Sequence, residues 1–237
     1  MPVRNRGKEA SDDRLFGDPK MQEKLREAAK DMCYLLSRGF AEKSSLQLVG
    51  NRYRLNARQQ RALQGMSASE EQTVLRRERS TAISNLKDRT VAIDGFNLLI
   101  IIENAMSGAY VFKGLDGCYR DVSGVHGSYK RVKKTEEALL LIGNTLKELN
   151  VTTIVWYFDT PVSNSGRLKT KLKELAEKYQ FPWTIYLDNN PDTVLADSDD
   201  IVISSDAWVL DRANQNFNLG AYLIEKLIPE ASIVTAI

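Results

Sequence analysis

The sequence predicts an α/β fold: a mainly parallel sheet flanked by helices over residues 89–237, preceded by a small all-helical, helix-turn-helix-like domain over residues 1–88. Three observations predict it. In the second part, short continuous apolar segments alternate with amphipathic stretches, the pattern of strands covered on both faces by crossover helices. In the first part, apolar residues recur at helical spacing. Charge divides at the same place. Residues 1–90 hold 19 Lys+Arg against 12 Asp+Glu, and residues 91–237 hold 14 against 19, so a basic part suited to a polyanion joins an acidic part suited to a cation.

The elements follow in order. Residues 1–18 are polar and charged, and read as a loose arm. Leu25, Ala28, Ala29, Met32, Leu35 and Leu36 form a helical stripe from Met21 to Arg38, and Gly39 fits its C-cap. Two short helices are expected, Ser44 to Val49 and Ala57 to Gln64, joined as in a helix-turn-helix. Arg52, Arg54, Arg58 and Arg61 crowd that turn with Tyr53 among them. Arginines near a helix N-terminus can meet phosphates and a tyrosine can stack on a base, or they are an ordinary solvated helix face and Tyr53 is core. Residues 66–90 read as a further helix or a linker.

In the second part Val91 to Ile93 is a short buried strand ending at Asp94. Tyr110 to Leu115 and Cys118 to Val122 flank Asp116-Gly117, a hairpin turn signal. Thr135 fits an N-cap, with Glu136 and Glu137 in the first turn of a helix through Leu149. Thr153 to Phe158 is a β-branched and aromatic strand ending at Asp159, followed by a helix from Arg167 to Tyr179. Strands over Trp183–Leu187 and Ile201–Ser205 end at Asp188 and Asp206. A helix from about Leu219 to Ile228 and a strand over Ile233–Ile237 close the chain.

Asp94, Asp159 and Asp206 thus arrive at the C-terminal ends of three strands, the edge where open parallel sheets bind ligands. Converging carboxylates repel one another unless protonated or neutralised by a cation. An all-oxygen set suits Mg²⁺ or Mn²⁺, which activate water and stabilise both oxygens in phosphodiester cleavage. Each aspartate taken singly is also a good helix N-cap. Asn97 supports Asp94, binds substrate or caps a helix. Asp192 and Asp197 flank a short apolar turn after Pro191 and are candidates for further metal ligands.

Two loops offer phosphate-binding donors: Ser123, His126, Ser128 and Lys130 in the first, Ser163, Asn164 and Ser165 before a helix in the second. The second set could equally cap that helix. A single histidine makes no zinc site, and Cys33 and Cys118 form no CxxC pair, which suits a reducing cytoplasm. The longest apolar run, Leu98 to Ile102, is far short of the roughly 18 residues of a membrane span, and the first twenty residues lack a signal-peptide core. Dinucleotide and P-loop glycine fingerprints are absent.

Val91-Ala-Ile-Asp94-Gly-Phe-Asn97-Leu resembles the opening strand of NYN-type domains, and Ile201-Val-Ile-Ser-Ser205-Asp206 the later Ser-Asp strand end of PIN and NYN nucleases. The whole chain resembles an uncharacterised prokaryotic family that joins a helical N-terminal domain to a PIN/NYN-like domain. The strings carrying that likeness are Leu36-Ser-Arg-Gly-Phe, Leu48-Val-Gly-Asn-Arg-Tyr-Arg-Leu, Asp121-Val-Ser-Gly-Val-His-Gly-Ser-Tyr and Asp159-Thr-Pro-Val-Ser-Asn-Ser-Gly. The resemblance implies a metal-dependent, ribonuclease-like fold with Asp94 and Asp206 in the site, and a homodimer as the assembly. Trp208 stands where the NYN pattern has a second aspartate; Asp211 replaces it only if its helix turns it inward.

The expected function is a Mg²⁺/Mn²⁺-dependent phosphodiesterase acting on RNA, with Asp94, Asp159 and Asp206 holding the metal. The alternative is a non-catalytic RNA- or nucleotide-binding module. A phosphohydrolase of the haloacid-dehalogenase type wants a second aspartate two positions after the first, and Phe96 stands there.

Overall fold

The computed structural model describes residues 7–123, 129 and 132–237. Four helices come first: α1 (Pro19–Leu36), α2 (Glu42–Arg52), α3 (Ala57–Met66) and α4 (Glu70–Glu78). Their starts are chemically marked. Asp18 accepts from the Lys20 amide ahead of Pro19, and Asn56–Gln59 and Ser69–Gln72 form reciprocal capping boxes on α3 and α4. The stretch expected as helix or linker therefore becomes α4, then a 3₁₀ turn at Ile83–Asn85. Both helices expected over 44–49 and 57–64 run longer, because the polar residues at their ends continue the turn.

The segment expected as a loose arm is anchored from residue 7 onward. Phe16 is fully buried, and Arg58 grips Asp12 with two hydrogen bonds (2.7 and 2.8 Å) and the Gly7 carbonyl with a third. Arg58 is therefore committed to a largely buried ion pair and is not a phosphate contact. Arg58→Ala, which strands the buried Asp12 carboxylate, should cost about 3 kcal/mol in a urea unfolding titration.

The second part contains strands β1 (Thr90–Asp94), β2 (Tyr110–Lys113), β3 (Tyr119–Arg120), β4 (Thr153–Asp159), β5 (Trp183–Asp188), β6 (Ile201–Ile203) and β7 (Ser232–Thr235). Between them run α5 (Gly95–Met106), α6 (Thr135–Glu148), α7 (Ser165–Tyr179), α8 (Pro191–Ala196), α9 (Ala207–Leu210) and α10 (Leu219–Leu227). The main sheet has the order β5-β4-β1-β6, all parallel. Helices cover it around a core that includes Ile93, Leu99, Trp156, Phe158 and Leu172. This is the mixed α/β architecture the strand–helix alternation predicts.

Three details differ from expectation. Helix α5, where no element was expected, is buried along nearly its whole length and has no amphipathic stripe. Thr135 does not cap α6: it is the first helical residue, and its hydroxyl bonds the buried Glu103 carboxylate. The final strand does not join the main sheet. β7 pairs in parallel with β2, and β3 pairs antiparallel with β2, forming a second sheet of order β3-β2-β7.

That small sheet completes the N-terminal helices. Phe112, Val122, Val234 and Ala236 share one core with Phe16, Leu25, Met32, Leu63 and Met66. The helical layer thus sits on the α/β part and is not a separate lobe on a linker. Among the described residues no helix is long and apolar enough to cross a membrane.

Candidate active site

Parallel register decides which carboxylates meet. Asp94 ends β1 level with Tyr157, and Ile93 is level with Ile203, so Asp94 faces the turn that leaves β6. There Ser204 donates to Asp94 Oδ2 at 2.7 Å and accepts from the Asp206 amide at 3.0 Å. One hydroxyl therefore ties the two strand-end aspartates together. Asp94 also accepts from the Asn97 side chain at 2.5 Å and, at 3.4 Å, from the Asn97 amide at the start of α5. Asp206 in turn caps α9 through the Val209 amide at 3.0 Å. Both residues are therefore helix N-caps, the role that each aspartate taken singly fits.

Asp94 is only 5% exposed. Burial pushes its carboxyl up to about 7, and the neighbouring charges of Asp192 and Asp206 add to that, against the pull of Asn97 and Ser204. Asp192, in the first turn of α8, is half-buried and also raised, by desolvation first and then by Asp206 and Asp159. Asp159 reaches further out, two residues past the level of Asp94 and opposite Asp188. Its carboxyl is raised by burial. Asp94, Asp192, Asp206 and Asp159 thus share an electrostatic neighbourhood. Asp197 does not join it: it is exposed at the far end of α8.

Among the described residues no three His, Cys, Asp or Glu side chains stand close enough to form a metal-binding group. The donor set is instead two linked carboxylates, Asp94 and Asp206, with Asp192 nearby. Mg²⁺ takes one or two carboxylates and fills its octahedron with water and substrate phosphate, so this set fits that ion and not a protein-only cage.

Beside these aspartates opens a cleft of about 580 Å³ between the helical layer and the sheet edge. Asn97, Ser205, Asp206 and Trp208 line one wall; Leu36, Arg61, Gln64 and Ser67 line the other. Of the four arginines expected to meet nucleic acid, Arg61 lines this cleft, exposed, with one bond to the Val122 carbonyl. Arg58 is spent on Asp12. Arg52 lies within 3.4 Å of Asp31, and Tyr53 donates to that same carboxylate from the side of the helical core. Arg54 is exposed, at a left-handed backbone position (φ 50°), and does not line the cleft.

The expected phosphate loops fare differently. Ser123 is held by Asp121 and accepts from Asn104, while His126, Ser128 and Lys130 lie outside the described residues. Ser163 and Asn164 grip the backbone of Tyr129, through Tyr129 N to Ser163 O and Asn164 Nδ2 to Tyr129 O. Neither the Asn164 side chain nor Ser165, which is buried, caps α7. Ser163 and Asn164 thus hold Tyr129.

Asp211 does line the cleft, but it is bound by Arg76 (2.7 Å) and Gln72 (2.8 Å). It therefore does not replace the missing aspartate. Arg76 also reaches Asp116 at 2.6 Å, and Asp116 is held again by Arg120. Burial alone would raise the Asp116 carboxyl, yet the charges and hydrogen bonds of Arg120 and Arg76 together hold it at about 2. This four-membered network floors the cleft and joins α4 to the hairpin turn and to the end of α9. Sequence reasoning missed both it and Ser204. The serine had a local signal, since a serine two before an aspartate commonly turns the chain. The network had none beyond the i,i+4 pair Asp116–Arg120, because Arg76 and Asp211 lie far from that pair in sequence.

Comparisons with other proteins follow the same outline. Residues 24–79 match a family described as "Protein of unknown function (DUF434)". The chain is 29% identical over 188 residues to "Uncharacterized protein MJ0935" of Methanocaldococcus jannaschii, an alignment spanning 77% of this chain and 90% of that one. No solved structure matches the chain. Residues 83–222, more than half of the sequence and including every aspartate of the cleft edge, match the family described as "Domain of unknown function (DUF5616)", and the chain belongs to that family.

Proposed function

We propose that the cleft is the site of a Mg²⁺- or Mn²⁺-dependent phosphodiesterase that acts on RNA. The observation that carries this reading is the pair Asp94–Asp206. Two carboxylates from neighbouring parallel strands are joined through Ser204: Asp94 is buried and raised to about 7, and Asp206 lines the cleft. A carboxyl raised by burial and like charge is what a cation would relieve. The PIN/NYN resemblance of the strands carrying Asp94 and Asp206 points the same way.

In this reading Asp94 and Asp206 hold the ion, Asp192 and Asp159 add negative field, and Asn97 and Ser204 orient Asp94. A bound ion would supply an activated water and charge neutralisation at the phosphate. Arg61, on the facing wall, is placed to take a backbone phosphate. The same reading has the protein working on RNA in the cytoplasm, with a homodimer as its assembly.

The test is cleavage of a labelled pool of single-stranded and structured RNAs in Mn²⁺, Mg²⁺ or EDTA. Metal-dependent cutting should fall at least about 100-fold in Asp94→Asn/Asp206→Asn. RNA binding without cutting in any metal would instead favour the non-catalytic binding module.

A further inference from the structure

We propose that Trp208 is a stacking platform for an unpaired base, so that the cleft takes single-stranded RNA and rejects duplex. This rests on the phosphodiesterase reading and names the substrate class of the same cleft.

Trp208 follows Asp206 by two residues, on the short helix α9 whose first turn Asp206 caps. Its neighbours Val209 and Leu210 are buried, whereas Trp208 is 43% exposed and lines the cleft. Exposing a large aromatic ring gains nothing for the core. Arg212 packs on the ring: its guanidinium sits 4.1 Å from the indole centroid and donates to the Trp208 carbonyl at 3.1 Å. An exposed indole lining the cleft is a surface on which a base can stack.

The surroundings suit a nucleotide. Leu36 and Ile101 give the cleft apolar wall, Gln64 gives amide donors and acceptors, and Arg61 gives a cation across from the aspartates. In a duplex the bases already stack on one another and their faces are closed to a side chain. The position that departs from the NYN pattern thus has a use of its own: it offers a ring where a carboxylate was expected.

The test needs no catalysis. Of the three tryptophans, Trp156 is fully buried and Trp183 is 9% exposed, so quenching of intrinsic fluorescence by a ligand reports Trp208. Full-length protein in EDTA is titrated with an octamer of riboadenylate and with a blunt-ended RNA duplex of eight base pairs, and affinity is read separately by anisotropy. The octamer should bind and quench and the duplex should bind far more weakly. Trp208→Ala should weaken the octamer roughly 5- to 150-fold, with Trp208→Phe retaining most of the affinity. Equal affinity for the two RNAs, or binding unchanged in Trp208→Ala, overturns the stacking role; metal-dependent cutting could still stand. Quenching that depends on Trp208, with no cutting in any metal, keeps the platform and overturns the phosphodiesterase.

Discussion

Arg76→Met should lower the free energy of unfolding by about 3–5 kcal/mol. The side chain is almost wholly buried and serves two carboxylates, Asp116 at 2.6 Å and Asp211 at 2.7 Å, as well as the Ala207 carbonyl. Methionine fills much of the volume but leaves two acids facing each other's field with only Arg120 to compensate. Asp116 suffers most, because it is itself buried and depends on both arginines to stay ionised near pH 2. Asp211→Asn should cost far less, about 1 kcal/mol, since its side chain is partly open to water and Gln72 remains. Guanidinium unfolding of the two variants and their double mutant gives the coupling directly. A loss below about 1 kcal/mol for Arg76→Met would mean that the network does not fasten α4 to the sheet edge.

Asp94→Asn should stabilise the metal-free protein above neutrality. The carboxyl is raised from its ordinary 3.8 to about 7 by burial and by Asp192 and Asp206, so ionising it costs the folded state more than the unfolded one. Its favourable contribution is complete below pH 3.8 and is lost as pH rises toward 7. The shift corresponds to an upper bound of about 4 kcal/mol. Asparagine removes that dependence while its amide oxygen still accepts from Asn97 and Ser204, so a net gain of about 2–3 kcal/mol is expected at pH 8, shrinking to nearly nothing at pH 4. Thermal melts of both proteins in EDTA across that range check the prediction. A difference that stays constant with pH would show that Asp94 titrates in its ordinary range.

The strands bearing the aspartates were readable because Val91-Ala-Ile and Thr153 to Phe158 are continuous β-forming runs that stop at an acid. The parallel-sheet rule predicts that they converge; in the structure Ser204 links Asp94 to the Asp206 amide, whereas Asp159 lies two residues farther along its strand than the level of Asp94. Helix α5 was not readable, since Phe96 and Leu98 through Ile102 are apolar in succession and give no period to detect. The arginine cluster misled for a different reason. Arg58 finds Asp12 at a separation of 46 residues, and nothing local distinguishes a paired arginine from a waiting one. The cleft itself belongs to neither part of the chain alone, so no pattern within either part could have outlined it.

The interleaving of the small sheet with the helical layer carries a consequence for biogenesis. Leu25 and Met32 share a core cluster with Val234 and Ala236, which are synthesised roughly 200 residues later. Helices α1 to α3 can form early, but their oily face stays uncovered until roughly 200 further residues have been made and β7 has zipped alongside β2. A nascent chain stalled before that point would display a sticky helical bundle, a natural client for chaperones. Maturation of the cleft, one wall of which is that bundle, thereby waits on the synthesis of β7.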